Sequence, residues 1–212
     1  FNKIYRFTIM KKLINCKDAR SPGNYAKAYF NYLSNVLSSI DTNEIDKLVK
    51  LLLLKRKTGN TIFVAGNGGS SATASTMAND IGFDIIKKTQ TKKAFKILSL
   101  NDNSSVLTAI ANDVGYDKIF VEQLKLHYKK KDALIIFSAS GNSKNILDAA
   151  KWIKNKKGKI FSIVGFDGGK IKKYSDICLH FKSQKNEYGP VEDCQLIVNH
   201  ILAHWFQNKF SK

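Results

Sequence analysis

Along the first quarter of the chain, apolar residues recur three and four positions apart: Tyr25, Tyr29, Tyr32, Leu33, Val36, Leu37 and Ile40. That period marks one face of an α-helix. The polar segment Asp41-Thr42-Asn43-Glu44 interrupts it as a capping signal, and the pattern resumes from Ile45 to Lys57. Two amphipathic helices are predicted over 24–57, and their Tyr and Leu stripe reads as core or subunit interface. The pattern then shortens. Ile62-Phe63-Val64-Ala65 and Ala133-Leu134-Ile135-Ile136-Phe137 are apolar runs of buried-strand length. Each runs directly into small polar residues, Gly66-Asn67-Gly68-Gly69-Ser70-Ser71 in the first case and Ser138-Ala139-Ser140-Gly141-Asn142-Ser143 in the second.

Helix and strand signals alternate over the remainder. Helices are predicted over 72–81, 106–112, 118–128, 145–155, 171–175 and 192–206, with strands over 94–100, 159–164 and 176–181. Asn101-Asp102-Asn103-Ser104-Ser105 reads as a helix cap, and Asn112 to Asp117 as a helix break. Alternation of this kind predicts an α/β fold, a three-layer sandwich whose central parallel sheet is covered by helices on both faces, flavodoxin-like and preceded by the N-terminal helices. One domain over 24–212 is expected, with 1–23 an extension that adds little to it. The polar stretch Ser183 to Pro190 lies just before the last helix, where it could carry function.

Each small-residue turn suits an anion at a helix N-terminus, because a backbone without Cβ branches lets amides and hydroxyls approach a ligand closely. Two on neighbouring strands would suit one phosphate and a polyol. No Gly-Lys-Ser/Thr ends either turn, and neither has the dinucleotide spacing, so no nucleotide cofactor is expected. Further chemistry-bearing residues lie on predicted helices. Thr76 and Asp80 are one turn apart. Glu192 and His200 are eight residues apart, about two turns along one face, with Gln195 and His204 beside them. A histidine titrates near neutrality and a carboxylate serves as a base, so the last helix is a candidate for proton transfer.

Charge qualifies this picture. The net charge of +18 arises from 35 Lys and Arg against 17 Asp and Glu. Only Arg6 and Arg20 and Arg56 are arginines, and the lysine runs fall at predicted helix ends, where cations suit the helix dipole. Arginine is the preferred fork for phosphate and bases, so a nucleic-acid role is not expected; a lysine-rich surface attracts anionic substrates at a distance. No apolar run approaches the roughly 18 residues of a membrane helix, and Phe1 to Met10 is too short for a signal peptide. Cys16, Cys178 and Cys194 have no paired spacing, and a reduced, cytoplasmic setting is expected.

In order and spacing, Gly66-Asn67-Gly68-Gly69-Ser70, Leu107 to Tyr116, Ser138 to Ser143, Asp167-Gly168-Gly169-Lys170 and His200-Ile201-Leu202 resemble the sugar isomerase (SIS) fold, specifically the phosphoheptose isomerase family. The resemblance covers roughly residues 25 to 207. It implies interconversion of sedoheptulose 7-phosphate and a glycero-manno-heptose 7-phosphate through an enediol, feeding heptose synthesis for lipopolysaccharide or other surface glycans. It implies phosphate binding by Ser138, Ser140 and Ser143, and sugar contacts from Asn67, Gly68, Gly69, Ser70, Asn112 and Asp113. The family's catalytic histidine maps onto His200 and its glutamate onto Asp80, one methylene shorter; His200 with Asp80 or Glu192 would transfer the proton. Members with zinc use four ligands, and here the first maps onto Thr76 and the third onto Glu192. Asp80, Glu192 and His200 with a water remain as an implied site for one zinc per subunit. The resemblance further implies a homotetramer with N-terminal helices packed between subunits. The alternative is a non-catalytic SIS protein, a phosphosugar sensor or scaffold like the DnaA initiator-associating protein.

Overall fold

The computed structural model describes residues 13, 15 and 17–211, so the expectation for 1–23 and the residue Cys16 fall largely outside the described part. Two helices come first. Ser21 caps α1 (Pro22–Leu37) by accepting from Asn24 N–H at 3.1 Å, with Pro22 at the first helical position. Asp41 caps α2 (Thr42–Thr58) by accepting from Asn43 N–H, and Gly59, at φ 72°, ends it in the left-handed conformation. Both helices fall where the apolar period predicts them.

Five strands follow: β1 (Thr61–Ala65), β2 (Lys96–Ser99), β3 (Ala133–Ser138), β4 (Lys159–Val164) and β5 (Ile177–His180). They form one sheet in the order β2-β1-β3-β4-β5, every pair parallel. Between them run α3 (Gly69–Met77), a π-helical segment (Ala78–Phe83), α4 (Asp84–Thr89), α5 (Ser104–Asp113), α6 (Ile119–His127) and α7 (Lys144–Asn155); α8 (Tyr188–Phe210) closes the chain.

Alternation along the strands divides the interior into two cores. Ile62, Val64, Ile135, Phe137, Phe161 and Ile163 face α1, α2, the α3–α4 stretch and α8. Phe63, Ala65, Leu134, Ile136, Ile160 and Val164 face α5, α6 and α7. A parallel sheet buried on both faces favours apolar residues at successive positions, as in β3, which is buried throughout and apolar from Ala133 to Phe137. This is the three-layer arrangement that the alternating pattern predicts. No helix among the described residues is long and apolar enough to cross a membrane.

Several boundaries differ from the periodicity. The helix predicted over 72–81 instead runs from Gly69 to Thr89, with the π segment in its middle. The last helix starts at Tyr188, not Glu192, because Pro190 lies in its first turn, where a missing N–H leaves no bond unmade. The polar stretch before it is correspondingly shorter. Residues 170–173 form a 3-10 turn, not an α-helix.

Lysines and Arg56 occupy the last turns of α2, α4 and α7, at the strand-entry end of the sheet. There they complement the negative ends of the helix dipoles. Arg56 is further fixed by donating to Lys93 O and Thr91 Oγ1 and by stacking on Phe210. Of the described cysteines, Cys178 is half-buried and Cys194 buried, both as free thiols; burial above all, with Asp193 adding, pushes the Cys194 thiol up to about 12.

Phe206 on α8 is fully buried, 4.6 Å from the Phe95 ring centroid and 6.1 Å from that of Phe210. Phe206→Ala would remove the side chain that seals α8 against the β2 edge of the core. The expected loss is about 3–5 kcal/mol in unfolding free energy, measured by denaturant titration with an unchanged m-value.

Candidate active site

Because all five strands are parallel, the turns that follow β1 and β3 emerge side by side at the strand-exit edge of the sheet, where α/β folds bind ligands. One reciprocal pair joins them. Asn67 Nδ2 donates to Asn145 Oδ1 and Asn145 Nδ2 donates to Asn67 Oδ1, both at 2.9 Å. Tyr116 Oη adds a third bond to Asn67 Oδ1 at 3.2 Å. Asn101 fixes the base of the first turn by accepting from Gly66 N–H and donating to Gly66 O.

The second turn is the candidate anion cradle. Ser138 is 6% exposed, and its Oγ accepts from Gly141 N–H at 3.0 Å, so it holds the turn closed. Gly141 has φ 61°, and a Cβ there would lie 2.2 Å from Gly168 O. Only glycine fits this contact with the turn that follows β4. Ser140 Oγ accepts from Asn142 N–H, and Ser143 is the N-cap of α7 without a side-chain capping bond. Both serines are half-exposed. The half-exposed Ser143 hydroxyl thus lies at the positive end of a helix, where an anion is stabilised.

A cavity of about 280 Å³ opens beside the first turn, bordered by Asn67, Gly68, Ser71, Asn101, Thr108 and Tyr116. A second, of about 360 Å³, lies beyond the cradle among Ser140, Asn142, Phe166, Ser183, Lys185 and Tyr188. Asp117 clips the flank by pairing with Lys144 at 2.8 Å and Lys118 at 3.1 Å, which hold its carboxyl down at about 2.

Not every residue singled out from the sequence lies against these spaces. Ser70 is 2% exposed and donates to Gln195 Oε1 at 2.8 Å, so it serves the fold and offers no hydroxyl to a ligand. Asn112 and Asp113 sit exposed at the end of α5 and bond to each other at 2.7 Å; neither borders these two cavities. Gly68 borders the first cavity at φ 57°. Gly69 opens α3, and the Glu192 carboxylate covers it: a Cβ on Gly69 would stand 2.3 Å from Glu192 Oε2. Glu192 therefore lies at the positive end of α3 and occupies the space that an alanine side chain would need.

His200 and Asp80 form a separate group. His200 Nε2 is 3.7 Å from Asp80 Oδ2, and the two side chains are 52% and 17% exposed. Asp80 also accepts from Asn79 Nδ2 at 3.0 Å and from Asn199 Nδ2 at 2.8 Å. Thr76, one turn earlier, donates its hydroxyl to Ala72 O within its own helix. Glu192 lies roughly 12 Å from His200 along α8, at the usual rise per residue. Among the described residues no group of three His, Cys, Asp or Glu side chains could hold a metal ion. The implied trio of Asp80, Glu192 and His200 is thus not assembled within the chain: Asp80 joins His200 while Glu192 joins Gly69.

Asn101, Tyr116, Asn145, Gln195 and Asn199 are the positions that residue patterns did not single out as site residues. Gln195 and Asn199 are both fully buried, on the inner side of α8. Gln195 links Ser70 to Ile163 O, tying the first helix of the site to β4. In sequence they look like ordinary polar residues of a helix. Only Asn145 had a usable signal, two positions inside a helix launched by a serine-rich turn.

The SIS domain family model matches residues 25–165. The phosphoheptose isomerase of Leptospira biflexa is 36% identical over 154 residues, 73% of this chain and 77% of that protein. The phosphoheptose isomerase of Helicobacter pylori is 35% identical over 163 residues, 77% of this chain and 82% of that protein. Among solved structures, phosphoheptose isomerase from Neisseria gonorrhoeae superposes with a TM-score of 0.78 at 24% identity, covering 89% of this chain and 100% of that one. The one from Francisella tularensis gives 0.77 at 20% identity, over 92% and 100%. With its parallel sheet, its serine cradle at α7 and its His200–Asp80 pair, the chain belongs to the SIS-domain family of phosphoheptose isomerases.

Proposed function

We propose that the protein isomerises sedoheptulose 7-phosphate to a glycero-manno-heptose 7-phosphate. The observation that carries this reading is the His200–Asp80 pair, held at 3.7 Å in a chain whose relatives are phosphoheptose isomerases. The phosphate is bound at the N-terminus of α7 by Ser140, Ser143 and the α7 amides, with Ser138 bracing the turn. Asn67 and Gly68 meet the sugar hydroxyls at the first cavity.

The chemistry is a proton shift. A base takes a proton from C1 while the C2 carbonyl oxygen gains one, giving the 1,2-enediol. The C1 hydroxyl then loses its proton as C2 is protonated, which leaves an aldehyde at C1. His200 and Asp80 are the two groups able to exchange those protons, and Glu192 fixes the start of α3 beside the sugar.

The reaction's setting rests on the family resemblance. It is a cytoplasmic homotetramer that supplies heptose for lipopolysaccharide or another surface glycan. Ile201 and Trp205, exposed by 46% and 42% next to His200, are the kind of apolar surface that subunit packing covers. A second reading, a phosphosugar sensor without turnover, is favoured by one observation: the Thr76 hydroxyl is spent inside its own helix.

Incubation with sedoheptulose 7-phosphate, followed by detection of the aldose, tests the proposal. Turnover is expected; its absence beside a rise in melting temperature with phosphosugar would support the sensor instead. His200→Ala is expected to lower kcat by about 10²–10⁴-fold while sugar-phosphate binding persists. Ser143→Ala is expected to raise KM by about tenfold or more, since it removes a hydrogen bond to a charged group. Steady-state kinetics and calorimetric titration separate the two effects.

A further inference from the structure

Asp80 lies in the π-helical segment Ala78–Phe83, and short π segments inserted in α-helices widen the turn and redirect its side chains. What receives the redirected carboxylate is α8. Asn199, 0% exposed and adjacent in sequence to His200, donates Nδ2–H to Asp80 Oδ2 at 2.8 Å, the same oxygen that lies 3.7 Å from His200 Nε2. The other carboxylate oxygen accepts from Asn79, which is exposed.

Asn199 is costly in this position. Its own Oδ1 is buried without a hydrogen-bond partner, one of two such side-chain atoms among the described residues. A buried amide whose oxygen has no partner weakens a core, and an aliphatic residue of similar size would avoid the penalty. The amide earns no stability that explains its presence, yet its single bond goes to the carboxylate beside the candidate catalytic histidine.

We infer that Asn199 is a positioning residue for catalysis: with the π segment it aims the Asp80 carboxylate at His200, at the expense of core stability. The inference rests on the isomerase reading above. Aspartate has two side-chain torsions, and fixing one oxygen from the buried side leaves its carboxylate a single direction in which to face the imidazole. Asn199 itself touches no substrate.

The test uses the full chain with Asn199→Ala, Asn199→Leu, Asp80→Asn and the double variant Asn199→Ala/Asp80→Asn. Loss of the aiming bond is expected to lower kcat by about a hundredfold with KM unchanged, the usual result of misplacing a reacting group by about 1 Å. In the Asp80→Asn background, adding Asn199→Ala should lower kcat no further. Asn199→Leu should lose kcat in the same way while melting at or above the temperature of the unmodified protein. A purely structural amide would give the reverse, a lowered melting temperature with kcat intact, and that result would overturn the inference. So would full additivity of the two substitutions in kcat. If Asp80→Asn left kcat untouched, the role of Asp80 in the isomerase reading would fail instead, and the two failures are therefore distinguishable.

Discussion

The site depends on one reciprocal contact, the paired amides of Asn67 and Asn145. β1 and β3 are neighbours, so their exit turns are brought close by the sheet, but proximity alone would leave two independently moving loops. Two facing side-chain amides restrict that freedom, because each both donates to and accepts from the other at 2.9 Å. The two turns are thereby joined into one continuous surface. Asn101, bound to both backbone groups of Gly66, and Ser138, bound to Gly141 N–H, extend the same principle to each turn. In each case a side chain substitutes for the regular hydrogen bonding that a turn lacks.

α8 is the second support. It is the long helix behind the site, and it presents a different polar group to each layer in front of it: Glu192 to the start of α3, Gln195 to Ser70 and β4, Asn199 and His200 to Asp80. Tyr29 of α1 donates to Asp193 at 2.5 Å and ties the opposite side of the helix to the N-terminal pair; burial first, and then this carboxylate, raise the tyrosine pKa. α8 therefore contacts both the first turn, through Glu192 and Gln195, and Asp80, through Asn199 and His200.

Much of this was legible in the residues. The period of Tyr25 to Ile40, the Asp41 cap and the apolar run Ala133 to Phe137 report their own environments, since an amphipathic face or a doubly buried strand leaves its mark in consecutive residues. The cradle was legible for the same reason: its glycines and serines are local requirements of a tight turn at a helix start. Legibility failed where one side chain answers to another far along the chain. Ser70 read as a ligand hydroxyl because it lies in a glycine-rich turn, yet Gln195, 125 positions later, claims it. Asn112 and Asp113 belong to the family motif, but within this chain they face solvent at the end of α5. The π segment was also missed, since its apolar spacing differs too little from that of an α-helix to separate the two.

By itself, then, the sequence determined the class of fold, the positions of the two turns and the chemistry that each could offer, because periodicity, capping and turn residues act over a few neighbours. It determined the candidates for proton transfer as well, His200 with one of two carboxylates. Which of those carboxylates lies beside His200 was decided only by the tertiary structure. Glu192 and His200 share a helix and look like partners at a spacing of eight, but a rigid helix keeps them two turns apart, whereas Asp80 arrives from a separate helix packed against the same stretch of α8. Distances along one helix are set by its rise; distances between helices are set by packing, and packing is not written in any single segment.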